Sequence, residues 1–108
     1  MTTDSSQAAT IDHAIQAALE HHQAGRLPQA EAFYRPILQI APNHHDALHY
    51  LGVIAIQRGQ NEIAIELISK AISANPSSSL MHYNLGLAHR AQGNLEAAAE
   101  SYTVVNSL

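Results

Sequence analysis

Residues 48–76 read LHYLGVIAIQRGQNEIAIELISKAISANP. A helical pattern runs up to Arg58-Gly59 and a second one runs on from it, so Gly59 marks a turn between two helices. Pro76 lies just beyond the second pattern, where it forces a stop. Sliding the chain by 34 residues superimposes this stretch on its neighbours without a gap. Gly25, Gly59 and Gly93 fall in one column and Ala30, Ala64 and Ala98 in another. Pro42 aligns with Pro76, Ala18 with Gly52 and Gly86, and Ala17 with Leu51 and Leu85. Tyr34, Ile68 and Tyr102 form a further column, as do Ile37, Ala71 and Val105.

Each column has a physical reason. Glycine after a helix accepts the left-handed conformation that ends it without a Cβ penalty. The alanine column and the Ala18, Gly52 and Gly86 column are small where two helices must approach closely. Asn43 and the Ser77–Ser79 run offer oxygen caps for the helices that follow. Every unit is therefore a helical hairpin, and helices are expected at about 11–24, 28–40, 46–58, 62–74, 79–92 and 95–107. Pro28 suits a first helical turn. Pro36 falls inside a helix and should kink it, at ~3 kcal/mol in an unprotected position. Residues 1–9 are polar and aperiodic, and are expected to be a disordered or frayed extension ahead of a domain at 10–108, with repeats at about 11–44, 45–78 and 79–108.

Composition agrees with helices. Of 108 residues, 46% are hydrophobic but only 5% aromatic, so alanine and aliphatic side chains must fill the core. Five Lys or Arg stand against nine Asp or Glu, a formal charge of −4, and the basic residues are scattered. No basic stripe exists to neutralise phosphates, which argues against nucleic acid as a partner. No apolar run reaches the ~18–20 residues that span a bilayer. The first basic residue is Arg26, so the expected setting is cytoplasmic, without a secretory leader or membrane contact. With no cysteine, disulfides, thiolate metal sites and cysteine nucleophiles are all excluded.

The columns resemble the tetratricopeptide repeat, whose 34-residue unit carries W-x-x-L-G-x-x-Y, then G, A, F/Y, A and P. Residues 48–76 and the stretch HYNLGLAHRAQGNLEAAAESY at 82–102 match best. AIQAALEHHQAGRLPQAEAFYRPILQIAP at 14–42 is looser, with Ala17-Ala18 in place of Leu-Gly, and Leu48 and His82 stand where the motif has Trp. The resemblance implies an all-α fold, a right-handed superhelix of three stacked helix-turn-helix repeats (an α-solenoid), with the last repeat incomplete. The stretch from His21 to Ala55 also looks like the N-terminal repeats of bacterial proteins that carry a glycosyltransferase or sulfotransferase domain. That likeness implies a substrate-recognition arm parted from its catalytic domain.

In the family fold the first helix of each hairpin lines a concave groove. Helical spacing then assigns Asp12, Ile15, Gln16 and Leu19 to the groove from the first unit. Asp46, His49, Tyr50, Val53 and Ile56 come from the second, and Leu80, Tyr83, Asn84, Leu87 and Arg90 from the third. The candidate binding residues are Ile15, Gln16, Leu19, His49, Tyr50, Val53, Ile56, Tyr83, Asn84 and Leu87. So apolar a surface is expected to take a protein or peptide partner. The carboxylate clamp that grips chaperone C-terminal tails needs Lys, Asn and Arg where this chain has Ile15, Leu19, Tyr50, Leu80 and Asn84, so such tails are excluded. The column Gln16, Tyr50 and Asn84 resembles the asparagine ladder of glycosyltransferase-type repeats, broken at Tyr50. A solenoid end needs a polar cap, so Tyr102, Val105 and Leu108 are expected either to pack against a second chain, as in a homo-oligomer, or to meet the rest of a longer protein.

Eight histidines are the remaining anomaly: His13, His21, His22, His44, His45, His49, His82 and His89. His45 and His49 are four apart and could share a face, which keeps a metal-binding protein as an alternative, although a third ligand is missing. His21 and His89 are expected to pack between helices, and His22 and His44 to face water. Protonating all eight would carry the formal charge from −4 to +4. There is no G-x-S-x-G, Gly-rich phosphate loop or nucleotide fingerprint, so neither catalysis nor a cofactor is expected.

Overall fold

The computed structural model describes residues 3–108, with side chains from residue 7 onward. Six α-helices follow one another: α1 (Thr3–Gln23), α2 (Leu27–Ile40), α3 (His45–Gln57), α4 (Asn61–Ala74), α5 (Ser79–Ala91) and α6 (Leu95–Ser107). The five later helices start and end within one residue of the expected spans. α1 is the exception, beginning at Thr3 rather than near residue 11. Of the expected extension, residues 3–9 lie in that helix, and residues 1 and 2 lie outside the described residues.

The hairpin turn follows from glycine. Gly59 has φ +75°, and its N–H donates to the Ile56 carbonyl at 3.0 Å while the Gln60 N–H reaches back to the Ala55 carbonyl at 2.8 Å. This pair of bonds satisfies carbonyls that the end of α3 leaves open, and it requires a left-handed residue between them. The same bonds recur at Gly25 and Gly93. Among the described residues, the starts of α3, α5 and α6 carry side-chain caps, and those of α2 and α4 do not. Ser78 and Asn94 side chains accept from Met81 N–H and Ala97 N–H, at 3.3 Å each. α3 departs from expectation, because His44 rather than Asn43 caps it, its Nδ1 accepting from Ala47 N–H at 3.2 Å. α2 runs on through Pro36 as one helix, with the ring on the exposed side.

The chain forms two compact units, Met1–Pro42 and Asn43–Leu108. In the first, α1 packs on α2 around buried Ile15, Ala18, Ala30, Tyr34 and Ile37. In the second, α3 packs on α4 and α5 on α6, and α4 lies against α5. Leu48, Leu51, Ile54, Ile68, Met81 and the alanines 64, 71, 88 and 98 form its core. Each large aliphatic side chain buried there contributes about 1.5–3 kcal/mol. The small columns do what their size implies. A Cβ on Gly52 would stand 2.5 Å from Ile68 Cγ1, and one on Gly86 would fall into the Tyr102 ring.

Candidate binding face

The first helices of the two later hairpins meet through one polar pair. His49 on α3 is 2% exposed, and its Nε2 lies 2.8 Å from Nδ2 of Asn84 on α5. Sequence reasoning placed both His49 and Asn84 on the open face of the groove. Instead α3 and α5 approach closely enough to bury the imidazole, and a side-chain hydrogen bond between them satisfies it. Tyr50 follows His49 in the chain, and the two rings lie 4.9 Å apart, tilted by 36°. Burial, and secondarily the negative charge of Asp46, raises the Tyr50 pKa above the ordinary 10.0.

Around this pair the expected residues divide. Tyr50, Val53, Ile56, Asn84 and Leu87 are half-buried, and Tyr83 is exposed on α5 with Leu80 and Arg90. Ile56 packs with Ile65 on the Ala55, Ala64 and Ala88 core, so part of its side chain is spent inside the fold. On α1, in the first unit, Gln16 is exposed and Leu19 half-buried, but Ile15 points into the α1–α2 core. Ile15 and His49 thus support from beneath the faces they were expected to line. Helical spacing alone cannot separate these roles, because the boundary between core and surface depends on how near the next helix lies.

The C-terminal residues also divide. Tyr102 packs over Gly86 with its ring 5.8 Å from Tyr83, so part of its half-buried side chain is spent within its own hairpin. Val105 is half-buried, and Leu95 and Leu108 are exposed. In the first unit an apolar hollow of about 290 Å³ opens between Thr10, Ile11 and Ala14 on α1 and Phe33, Pro36 and Ile40 on α2. Ala14 occupies the column in which the second repeat carries buried Leu48.

Most of the histidines have local structural partners. His21 stacks on Phe33 and accepts from Arg26 Nε at 2.8 Å. His22, expected in water, is half-buried edge-on to Tyr34, as His44 is half-buried in its cap. His82 Nε2 donates to the Pro76 carbonyl at 2.9 Å. His89 is half-buried with its Nδ1 shielded from solvent. His45 lies beside Asp46 at 3.3 Å, whereas His49 turns to Asn84, so these two do not converge. Among the described residues, no three His, Cys, Asp or Glu side chains gather as metal ligands would. Nor is any described helix long and apolar enough to cross a membrane.

Known proteins share this pattern. The family model for the tetratricopeptide repeat matches residues 50–105. The chain belongs to the tetratricopeptide repeat family. It is 37% identical over 70 residues to cellulose synthase operon protein C of Komagataeibacter xylinus, an alignment covering 65% of the chain. It is 30% identical over 78 residues, 72% of the chain, to human tetratricopeptide repeat protein 7B. Among solved structures, a mutant O-GlcNAc transferase of Thermobaculum terrenum matches 92% of the chain with a TM-score of 0.90 and 32% identity. The tetratricopeptide chain spans only 5% and 9% of the lengths of the two relatives, and 19% of the transferase chain. The fold is an all-α helical repeat, and tetratricopeptide domains generally serve as protein-interaction scaffolds.

Proposed function

We propose that this chain is a non-catalytic interaction module that binds a peptide or helix of a protein partner on the surface of α3 and α5. One observation carries the reading. Tyr50, Val53, Tyr83 and Leu87 leave apolar and aromatic surface open to solvent around the amide of Asn84. Aromatic and aliphatic area beside a fixed amide suits a chain that buries side chains while its backbone finds hydrogen bonds. Selection of peptides from a displayed library, followed by affinity measurement, tests it. Selected peptides should lose at least about tenfold in affinity to the Tyr50→Ala/Asn84→Ala protein, as truncating a binding hot spot implies. Equal affinity for both proteins would overturn the reading.

A second reading is favoured by the match to the O-GlcNAc transferase at 32% identity. Here the chain would be the substrate-recognition arm of a bacterial glycosyltransferase-like or sulfotransferase-like protein, and the bound peptide would be a substrate segment. Catalytic sequence downstream of Leu108 in the natural gene would support it. Self-association belongs to the same proposal through the exposed Leu95 and Leu108 at the C-terminal helix. Light scattering that finds a monomer at all concentrations would remove that part.

A further inference from the structure

From the bond between α3 and α5 we infer that His49 is a positioning residue for the binding face, fixing which atoms of the Asn84 amide are left for a partner. The inference rests on the reading of α3 and α5 as the partner-binding surface and adds to it the residue that sets its polarity.

The chemistry follows from the pair itself. An amide nitrogen has only hydrogens to offer, so Asn84 Nδ2 donates to His49 Nε2 across 2.8 Å. The imidazole is therefore neutral, with its proton on Nδ1. One of the two Asn84 N–H groups is consumed in this bond. The carbonyl Oδ1 and the second N–H remain for a partner. Rotating the amide by half a turn would set Oδ1 against the Nε2 lone pair, two opposed acceptors unless the ring proton moves from Nδ1 to Nε2, so amide orientation and ring tautomer are locked together. His49 is only 2% exposed, so water cannot readily relieve that opposition. With the ring proton on Nδ1, the amide of Asn84, itself half-buried, is held in one orientation before any ligand arrives. The same ring braces Tyr50 from 4.9 Å, so one buried side chain supports two candidate binding residues. A partner then meets a face whose pattern of acceptor and donor is already set, with less ordering entropy left to lose on binding.

The test needs no ligand at its first stage. Long-range proton–nitrogen correlation spectra of the folded protein report which ring nitrogen of His49 carries hydrogen. The expected result is a protonated Nδ1 and a bare Nε2, and a protonated Nε2 would overturn the inference. Two variants follow. His49→Gln retains an acceptor for Asn84, and His49→Leu retains none. Solvent exchange of the Asn84 side-chain amide should quicken about fivefold in His49→Leu, the scale of one lost hydrogen bond, and return towards wild type in His49→Gln. Identical Asn84 exchange in wild type and both variants would refute a positioning role. If His49→Leu does not fold, the tautomer and the His49→Gln exchange rate decide the matter. A selected peptide that binds wild type and a folded His49→Leu equally, yet loses affinity to Tyr50→Ala/Asn84→Ala, would sink the positioning role and leave the binding face standing.

Discussion

Replacing Gly52 with alanine probes the close approach of α3 and α4 in the second unit. Two effects oppose each other. Within a helix, Gly→Ala is favourable by about 1 kcal/mol, because glycine loses more backbone freedom on folding. Against that, the added Cβ would stand 2.5 Å from Ile68 Cγ1, 3.1 Å from Ile68 Cδ1 and 3.4 Å from the Ala64 carbonyl oxygen. The first separation lies far inside carbon–carbon contact distance. Ile68 is fully buried, and Cγ1 sits one bond from its Cβ, so relief requires a rotamer change or movement of α4. Overpacking of this kind costs about 1–3 kcal/mol and here belongs in the upper half of that range. The net expectation is a loss of about 1–2 kcal/mol, a fall in melting temperature of roughly 4–16 °C for a domain this size. Thermal and urea unfolding followed by circular dichroism would measure it. Removing the obstacle supplies the control. Ile68→Ala alone should cost about 2–5 kcal/mol, and Gly52→Ala should become neutral or favourable in that background, with a coupling of about 1–3 kcal/mol. A Gly52→Ala protein as stable as wild type would refute the claimed approach of α3 and α4.

At the hairpin turn, Gly59→Ala forces a Cβ into φ +75° and should cost about 1–2 kcal/mol, although space around it is open; an unchanged urea midpoint would contradict the turn geometry. Ala14→Leu, which copies Leu48 of the next repeat into the hollow of about 290 Å³, should raise stability by up to about 2 kcal/mol. A lowered melting temperature would mean that the hollow cannot admit the side chain. For Tyr50, burial and Asp46 favour the neutral phenol, so the folded pKa exceeds the unfolded value of 10.0. Its contribution to stability is therefore complete below pH 10.0 and is lost as pH climbs through the raised folded value. Asp46→Asn should move Tyr50 ionisation, followed by phenolate absorbance, part of the way back towards 10.0 and leave the desolvation component in place.

The parts of the fold that could be read from sequence are those fixed by local backbone demands. Gly25, Gly59 and Gly93 are tied to a left-handed turn, Pro42 and Pro76 to helix ends, and Gly52 and Gly86 to contact with a partner side chain. These constraints act within a few residues or at a constant repeat offset, so they leave columns. The start of α1 left no such mark, because the residues before Ile11 are polar and small and show no apolar period to read. The candidate site was legible in outline only. Tyr50, Asn84 and their neighbours were placed on the first helices of their hairpins, where they are partly open to solvent, but the burial of His49 and Ile15 was not foreseen. Nothing in their spacing distinguishes a surface imidazole from one that meets an amide 35 residues away. The cap at His44 was missed for a simpler reason. Asn is a common cap and His an unusual one, and the structure moved the role by one residue.

The constant offset between the glycine turns has a consequence for how such a gene can change length. An insertion or deletion of a whole 34-residue cassette returns every helix to the same rotational phase. A single codon gained within α5 would instead turn everything after it by about 100°, carrying Ala98 and Tyr102 away from the gap at Gly86. Drift in length is therefore quantised. A change of whole repeats preserves these contacts, while a one-residue slip inside a helix breaks them.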